Sequence, residues 1–548
     1  MDACRQKSSK YSLFVCLVLS LCVTTSSHAN EWVYSVVKGD TLSEFSEKYL
    51  YRISYWKQLQ SINNIQDPKR IPENTKLRVP ISWIRTQPAA AKLVETSGNV
   101  QFKQHQQDIF SAAESAQKIQ LGDELKTGPQ SSALIRFADG SDVLVLQNSL
   151  VSFNHMTAYG DTGMVDSRIR LLQGDVQTQV EKQQGGGSRF EIHTPAAVSA
   201  VRGTEFRISF SEQSKSSSIE VLEGGVAVRG GKTTRLIKSG YGTRVEKDKT
   251  PLKPKKLLEP PALKSLPVPI EQIGAQLNWS KDKQARSYRA LISTTENFSS
   301  VLWDQTSERN NLTLPDLKDG DYFLQLRSID QHGIQGKPWI SELTLNARPQ
   351  PPFPMLPNKG AVIRGETPQL EWTNSEDAES YMLEIATDEG FTQLISKEQL
   401  SHTLAQPSEA TEPGTYFWRL ASIATDGEQG PYSDIRSLTV KPIPATPSPT
   451  LEQDDKQVRL SWSEGLPGQS YQVQIARNRD FTTILEEHSV LEPELSMPRP
   501  EGFRYVRVRT LDDDGYAGGW GVTQEILPPP SDSWIYVFGS FVMTIILL

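Results

Sequence analysis

The sequence predicts a multi-domain, mainly β fold with one small mixed segment near its start. Three observations carry this. Short runs of alternating apolar and polar residues, separated by glycine turns, recur from residue 86 to residue 527. Proline-rich joints divide the chain, and three stretches repeat the same aromatic landmarks 93 and then 90 residues apart. The 548 residues also exceed what a single hydrophobic core holds. With 22% charged and 37% apolar residues the composition is that of soluble protein, against collagen, coiled coil or a polytopic membrane protein. The net charge of −7, from 58 basic and 65 acidic residues, is mild and evenly spread, so no nucleic-acid partner is expected.

Residues 1–29 read as a secretory signal peptide. Arg5, Lys7 and Lys10 form a basic start, Leu13 to Val23 an apolar stretch, and Ser27 and Ala29 are small residues before a cleavage site. Leu21 is too bulky for a lipid-modification site at Cys22. Cleavage after Ala29 removes three positive charges and one negative one, taking −7 to −9. It also removes Cys4, Cys16 and Cys22, the only cysteines. A periplasmic or cell-envelope protein is therefore expected, without disulfides, a thiol nucleophile or a Cys-bound metal. The far end, residues 534–548, is fifteen residues without a charge. As a helix it reaches ~22 Å, short of the ~30 Å hydrocarbon core. A weak membrane anchor, a strand packed on the last domain, or a chain that continues further all fit it.

Residues 31–85 follow a β-α-α-β order. Tyr34 to Val37 alternates as a strand, Gly39-Asp40 is a turn, and Thr41 is suited to cap the next helix. Leu42, Phe45 and Tyr49 share one helical face, and Trp56, Leu59 and Ile62 a second. Asn63-Asn64 ends that helix, and Leu77 to Pro80 forms a closing strand.

Three motifs stand in this segment: V-x-K-G-D-T-L from Val36, L-x-x-I-N-x-I-x-D-P from Leu59, and I-P-x-x-T-x-L-x-V-P from Ile71. In order and spacing they resemble the LysM domain. That resemblance implies binding of the N-acetylglucosamine backbone of peptidoglycan or chitin in a shallow groove. Gly39, Asp40, Thr41 and Leu42 would line one side, and Asn64, Ile65, Asp67 and Pro68 the other. Backbone groups at the helix start would bond N-acetyl groups, and Leu42 and Ile65 would pack the acetyl methyl. Glu73-Asn74 stands where the family often has Pro-Gly.

Residues 86–249 alternate strand runs with glycine turns. Asp139-Gly140 and Gly174 mark hairpins or corners, Gly185-Gly186-Gly187 a flexible loop tip, and Arg202-Gly203-Thr204 a structural turn. Five motifs resemble the FecR-type domain: L-G-D-E-L-K-T-G from Leu121, S-A-L-I-R-F-A-D-G-S from Ser132, L-x-x-G-x-V from Leu171, the Thr194–Phe206 run, and V-L-E-G-G-V-A-V from Val221. The resemblance implies an all-β interaction module with an envelope protein as partner. In the sensor that names the family, a membrane helix and an anti-sigma segment precede the domain, and neither is recognised before it here.

Residues 250–269 form a proline-rich linker, expected to be a stiff spacer outside any sheet, as are the joints at 349–357 and 442–449. Three β-sandwiches are expected at 270–348, 358–441 and 450–527. Trp279, Trp372 and Trp462 each close an L-x-W triplet, and Tyr288, Tyr381 and Tyr471 follow nine residues later. Phe298, Phe391 and Phe481 come ten residues after those. Each copy carries a late G-x-x-G: Gly333 and Gly336, Gly427 and Gly430, Gly515 and Gly518. These landmarks resemble fibronectin type III or related immunoglobulin-like domains, which implies that each Trp and Tyr fills a core.

The sequence offers no H-E-x-x-H, G-x-S-x-G, phosphate loop or dinucleotide fingerprint. No catalytic residue, metal site or cofactor is assigned. The expectation is a non-enzymatic, peptidoglycan-binding envelope protein with scaffold or interaction modules. Envelope signalling, or a surface adhesin or assembly role, is the alternative.

Overall fold

The computed structural model describes residues 31–182, 185–263, 266–410 and 412–529. The expected signal peptide and the 534–548 tail lie outside these residues. Among the described residues no helix is long and apolar enough to cross a membrane. The chain divides into two compact units, at Ala347 and Arg348.

The first unit opens with the β-α-α-β segment. Strand β1 (Glu31–Ser35) pairs antiparallel with β2 (Lys76–Pro80), and helices α1 (Leu42–Tyr49) and α2 (Trp56–Ile62) lie between them in sequence. Thr41 caps α1 by accepting from the Glu44 N–H, as its hydroxyl suits it to do. Leu42, Phe45 and Tyr49 are buried, as their spacing requires. The second face is thinner than expected: only Leu59 is buried, because α2 is a single short span with Trp56 at its edge and Ile62 exposed. Trp32, Tyr34, Phe45 and Tyr49 pack ring to ring with centroids 4.9–5.9 Å apart.

From Gln87–Pro88 to Lys255–Lys256 the strands join into one closed barrel. The long strand Val165–Val180 links its two halves. Its first part pairs with Leu150–Ala158 and Arg189–His193, and its second with Asp142–Val145 and Thr204–Ser211. The change of partner falls at Gly174, where a Cβ would lie 2.1 Å from Ser149 Oγ, so only glycine fits the corner. Phe102, Phe153, Phe190 and Phe206 fill the interior.

Two expectations for this region fail. The proline-rich stretch after residue 249 is not wholly outside the sheet: Lys255 and Lys256 pair with Gly242 and Tyr241, and Leu257 and Leu258 are buried. The prolines flank these positions, so the ladder loses no donor. The Gly185–Gly187 loop is not a free tip. Its backbone lies against Met164 and Ile81. Met164 is itself buried in the core of the β-α-α-β segment, so that core is shared with the barrel.

The first sandwich completes the unit. Gln276–Asn278 pairs with Asn311–Thr313, opposite a four-stranded sheet in the order Val301–Ser307, Ala285–Ser293, Gly320–Asp330, Trp339–Leu345. The outer face of that sheet packs on the barrel, with Leu291, Phe298 and Val301 against Leu134, Leu144 and Leu146.

The second unit holds the other two sandwiches, each a three-stranded sheet opposite a larger one. In all three copies the landmark aromatics meet edge to face in the core, at 5.1, 5.9 and 5.2 Å. Phe298, Phe391 and Phe481 occupy the same left-handed turn, with φ of 56, 53 and 56°.

Candidate functional site

The predicted groove residues lie on two loops, and the structure joins those loops. The Leu42 N–H at the start of α1 donates to the Pro68 carbonyl at 2.9 Å. On the first loop, Asp40 accepts from the Val37 N–H and from the Tyr34 hydroxyl, both at 2.8 Å. Burial, and then the Asp40 hydrogen bond, push the Tyr34 phenol up to about 12. Gly39 has φ of 97° with open space beside it. Thr41 donates its hydroxyl to Glu44 Oε2 at 2.9 Å while accepting from the Glu44 N–H, so its side chain fixes the loop to the helix by two bonds.

On the second loop, Asn64 takes a left-handed φ of 52°, which asparagine tolerates. Gln60 Nε2 donates to the Ile65 carbonyl at 3.0 Å, and Asp67 Oδ1 accepts from the Lys69 N–H at 2.8 Å. Asn63 ties the end of α2 to β2. Its Nδ2 donates to the Arg78 carbonyl at 2.8 Å and its Oδ1 accepts from the Arg78 N–H at 2.7 Å.

The surface differs in one respect from the sequence expectation. The side chain of Leu42 is fully buried in the domain core, so it offers no apolar contact to a ligand. The reason is its place in the i, i+3, i+7 stripe of α1. Only its backbone, as the partner of Pro68, belongs to the site. Gly39, Asn64 and Asp67 are exposed, and Asp40, Thr41, Ile65 and Pro68 are half-buried. Val37, two residues before Gly39, is 58% exposed and adds an apolar side chain to this surface, although in sequence it reads as one more strand residue. The departure at Glu73-Asn74 is absorbed: Asn74 holds φ of 64° and donates its N–H to the Val36 carbonyl at 2.8 Å.

Elsewhere, two surface polar clusters are internally matched. Asp512, Asp513 and Asp514 come together on the last sandwich, but Arg364 and Lys441 already engage them. His193 bonds Glu191 at 2.7 Å on the barrel surface. Arg202-Gly203 forms the expected turn, with φ of 62° at Gly203.

No curated protein matches the chain. Among solved structures, a provisionally assigned anti-sigma factor from Parabacteroides distasonis is 15% identical, with a TM-score of 0.21. The match covers 24% of this chain and 59% of that one. The three fibronectin domains FN1–FN3 of chicken CNTN1 are 13% identical over 50% of this chain and 99% of that one, with a TM-score of 0.23. Fibronectin(III)-like modules of Clostridium thermocellum CbhA are 19% identical over 32% and 93%, with a TM-score of 0.20. The families matched, LysM and FecR, are binding or signalling domains. Residues 34–80 match the LysM domain family, whose members bind peptidoglycan-type glycans, and residues 123–227 match the FecR protein family.

Proposed function

We propose that this chain is an exported, non-enzymatic protein of the bacterial cell envelope that holds peptidoglycan glycan strands through the paired loops at 37–42 and 64–68. The observation that carries the reading is the LysM match at 34–80, together with the Leu42–Pro68 hydrogen bond that sets the two candidate loops side by side. The contacts assigned are the exposed backbone about Gly39 and Asn64, the side chains of Asp40, Thr41, Ile65, Asp67 and Pro68, and the apolar surface of Val37. N-acetyl groups offer one donor and one acceptor each, which suits loops built from backbone amides and carbonyls. The barrel and the sandwiches then serve as scaffold and as contacts for an envelope protein.

A sacculus pull-down with the full chain tests this. Deleting residues 31–85 would uncover Met164, so loop variants are the better probe. Asp40→Ala is expected to reduce recovery with sacculi at least tenfold while the barrel and sandwiches stay folded. Equal recovery would reject the assignment. A second reading, envelope signalling through the barrel, is favoured by the FecR match at 123–227. It predicts that an inner-membrane or regulatory protein is captured through the barrel by in-cell crosslinking.

A further inference from the structure

The contact between the barrel and the first sandwich is half apolar and half ionic. Leu134, Leu144 and Leu146 meet Leu291, Phe298 and Val301 on one side. Direct hydrogen bonds cross the seam there. Ser132 Oγ donates to the Val301 carbonyl at 3.2 Å, and Gln147 Nε2 donates to the Asp304 carbonyl at 2.7 Å. On the other side lies a buried charged cluster. Arg289 is well served: it forks onto Asp304 at 2.8 and 2.6 Å and reaches Asp175 at 3.1 Å. Its neighbours are not. Arg327, directly across the strand pair from Arg289, is fully buried, and its three guanidinium nitrogens have no hydrogen-bond partner in the protein.

Glu220 faces this cluster from the barrel strand Ser216–Glu223 and is also fully buried. Its Oε1 accepts from the Gln335 N–H at 3.1 Å across the seam, but its Oε2 has no partner. The nearest cation is Arg207 on the adjacent strand, with Nε 3.8 Å away, outside hydrogen-bonding range. Arg207 spends its Nη2 on the Gln335 and Gly336 carbonyls. Asp175 and Glu205 of the barrel and Arg289, Asp304 and Arg327 of the sandwich complete the charged surroundings. The closed seam thus buries a carboxyl oxygen and a guanidinium that nothing satisfies, and each is costly when charged.

The other two sandwiches show that this is particular to the docked copy. Gln325 of the first sandwich corresponds in the repeat to Arg419 and Arg507. Arg419 is stacked between Phe391 and Tyr432, at 4.1 and 3.9 Å. Arg507 is stacked between Phe481 and Trp520, at 4.0 and 4.1 Å. Those two copies cover this face with their own side chains. The first copy has Pro338 in place of the covering aromatic and is covered by the barrel instead.

We propose that the seam between the barrel and the first sandwich is a latch, held shut while Glu220 carries a proton and loosened when Glu220 ionises. Opening it exposes the Leu134, Leu144 and Leu146 surface. Burial outweighs the attraction of Arg207 and pushes the Glu220 carboxyl from 4.5 up to about 7. The closed form therefore binds the proton more tightly than the open form. Its advantage is full below about pH 4.5, declines as the pH rises to about 7, and is constant above that. The opening equilibrium therefore shifts toward the open form as the pH rises through that range.

The test places a dye pair on Lys238→Cys and Asn310→Cys, both exposed, in a full-length chain with Cys4, Cys16 and Cys22 replaced by serine. Energy transfer is followed through a urea titration at pH 5.5 and pH 8. The expected result is loss of transfer at lower urea at pH 8 in the parent, and at the same urea at both pH values in Glu220→Gln. Arg327→Met is a second arm, expected to hold transfer to higher urea at pH 8 by removing the unpartnered guanidinium. The latch is overturned by a parent whose two titrations coincide, by a Glu220→Gln chain that keeps the pH response, or by an Arg327→Met chain that opens no later than the parent.

Discussion

At the scale of single residues, the first candidate loop depends on one carboxylate. Asp40 holds both the Val37 amide and the Tyr34 hydroxyl, so its removal frees the loop at two points. Asp40→Ala is expected to cost about 1–2 kcal/mol of stability in the β-α-α-β domain. In the same variant the Tyr34 phenol falls back from about 12 toward 10, measured by ultraviolet titration of the phenolate. An unchanged Tyr34 midpoint would show that burial alone sets it. A second residue-scale expectation concerns the cores. Trp418 is fully buried in the second sandwich, and Trp418→Ala is expected to cost about 3–5 kcal/mol in chemical denaturation. Sequence pattern named the L-x-W tryptophans from their register, but Trp418 lies on the later strand Gly414–Ile423 and repeats in no other copy, so no periodicity marked it.

At the scale of elements, the G-x-x-G late in each sandwich has two separate causes. The first glycine supplies a left-handed turn, with φ of 76, 87 and 84° at Gly333, Gly427 and Gly515. The second makes room for the segment entering the domain. A Cβ on Gly336, Gly430 or Gly518 would lie 2.8, 2.0 or 2.7 Å from the carbonyl of Leu258, Pro349 or Pro444. The proline-rich joints are thus seated on the sandwich that follows them. Gly430→Ala is expected to destabilise the second sandwich by about 1–3 kcal/mol, read from its urea midpoint. No loss of stability would mean that the joint is not seated. This seating was invisible in sequence, because proline density reports stiffness and says nothing of what a stiff segment lies against. The β-α-α-β element order, the Thr41 cap and the repeat cores were legible because each follows from local spacing. The burial of Leu42 was legible too, in the stripe it shares with Phe45 and Tyr49, and that stripe is what removes it from the ligand surface.

At the scale of the molecule, the first unit is a fusion rather than beads on a string. Met164, from the barrel, completes the core of the β-α-α-β domain, and the first sandwich closes a face of the barrel. Met164→Ala is expected to lower the stability of the N-terminal domain by about 2–4 kcal/mol although the change lies outside it, seen as earlier loss of Trp32 and Trp83 fluorescence structure in urea. The consequence for function is mechanical. A glycan held at the 37–42 and 64–68 loops would fix the position of the barrel as well, with no free linker between them.

Calorimetric titration of chitin oligosaccharides into the full-length protein, parent and Asp40→Ala side by side, decides whether the 37–42 and 64–68 loops hold glycan. Saturable binding by the parent, weakened at least tenfold in the variant, is expected. A parent that releases no binding heat, or a folded variant with the affinity of the parent, would contradict it.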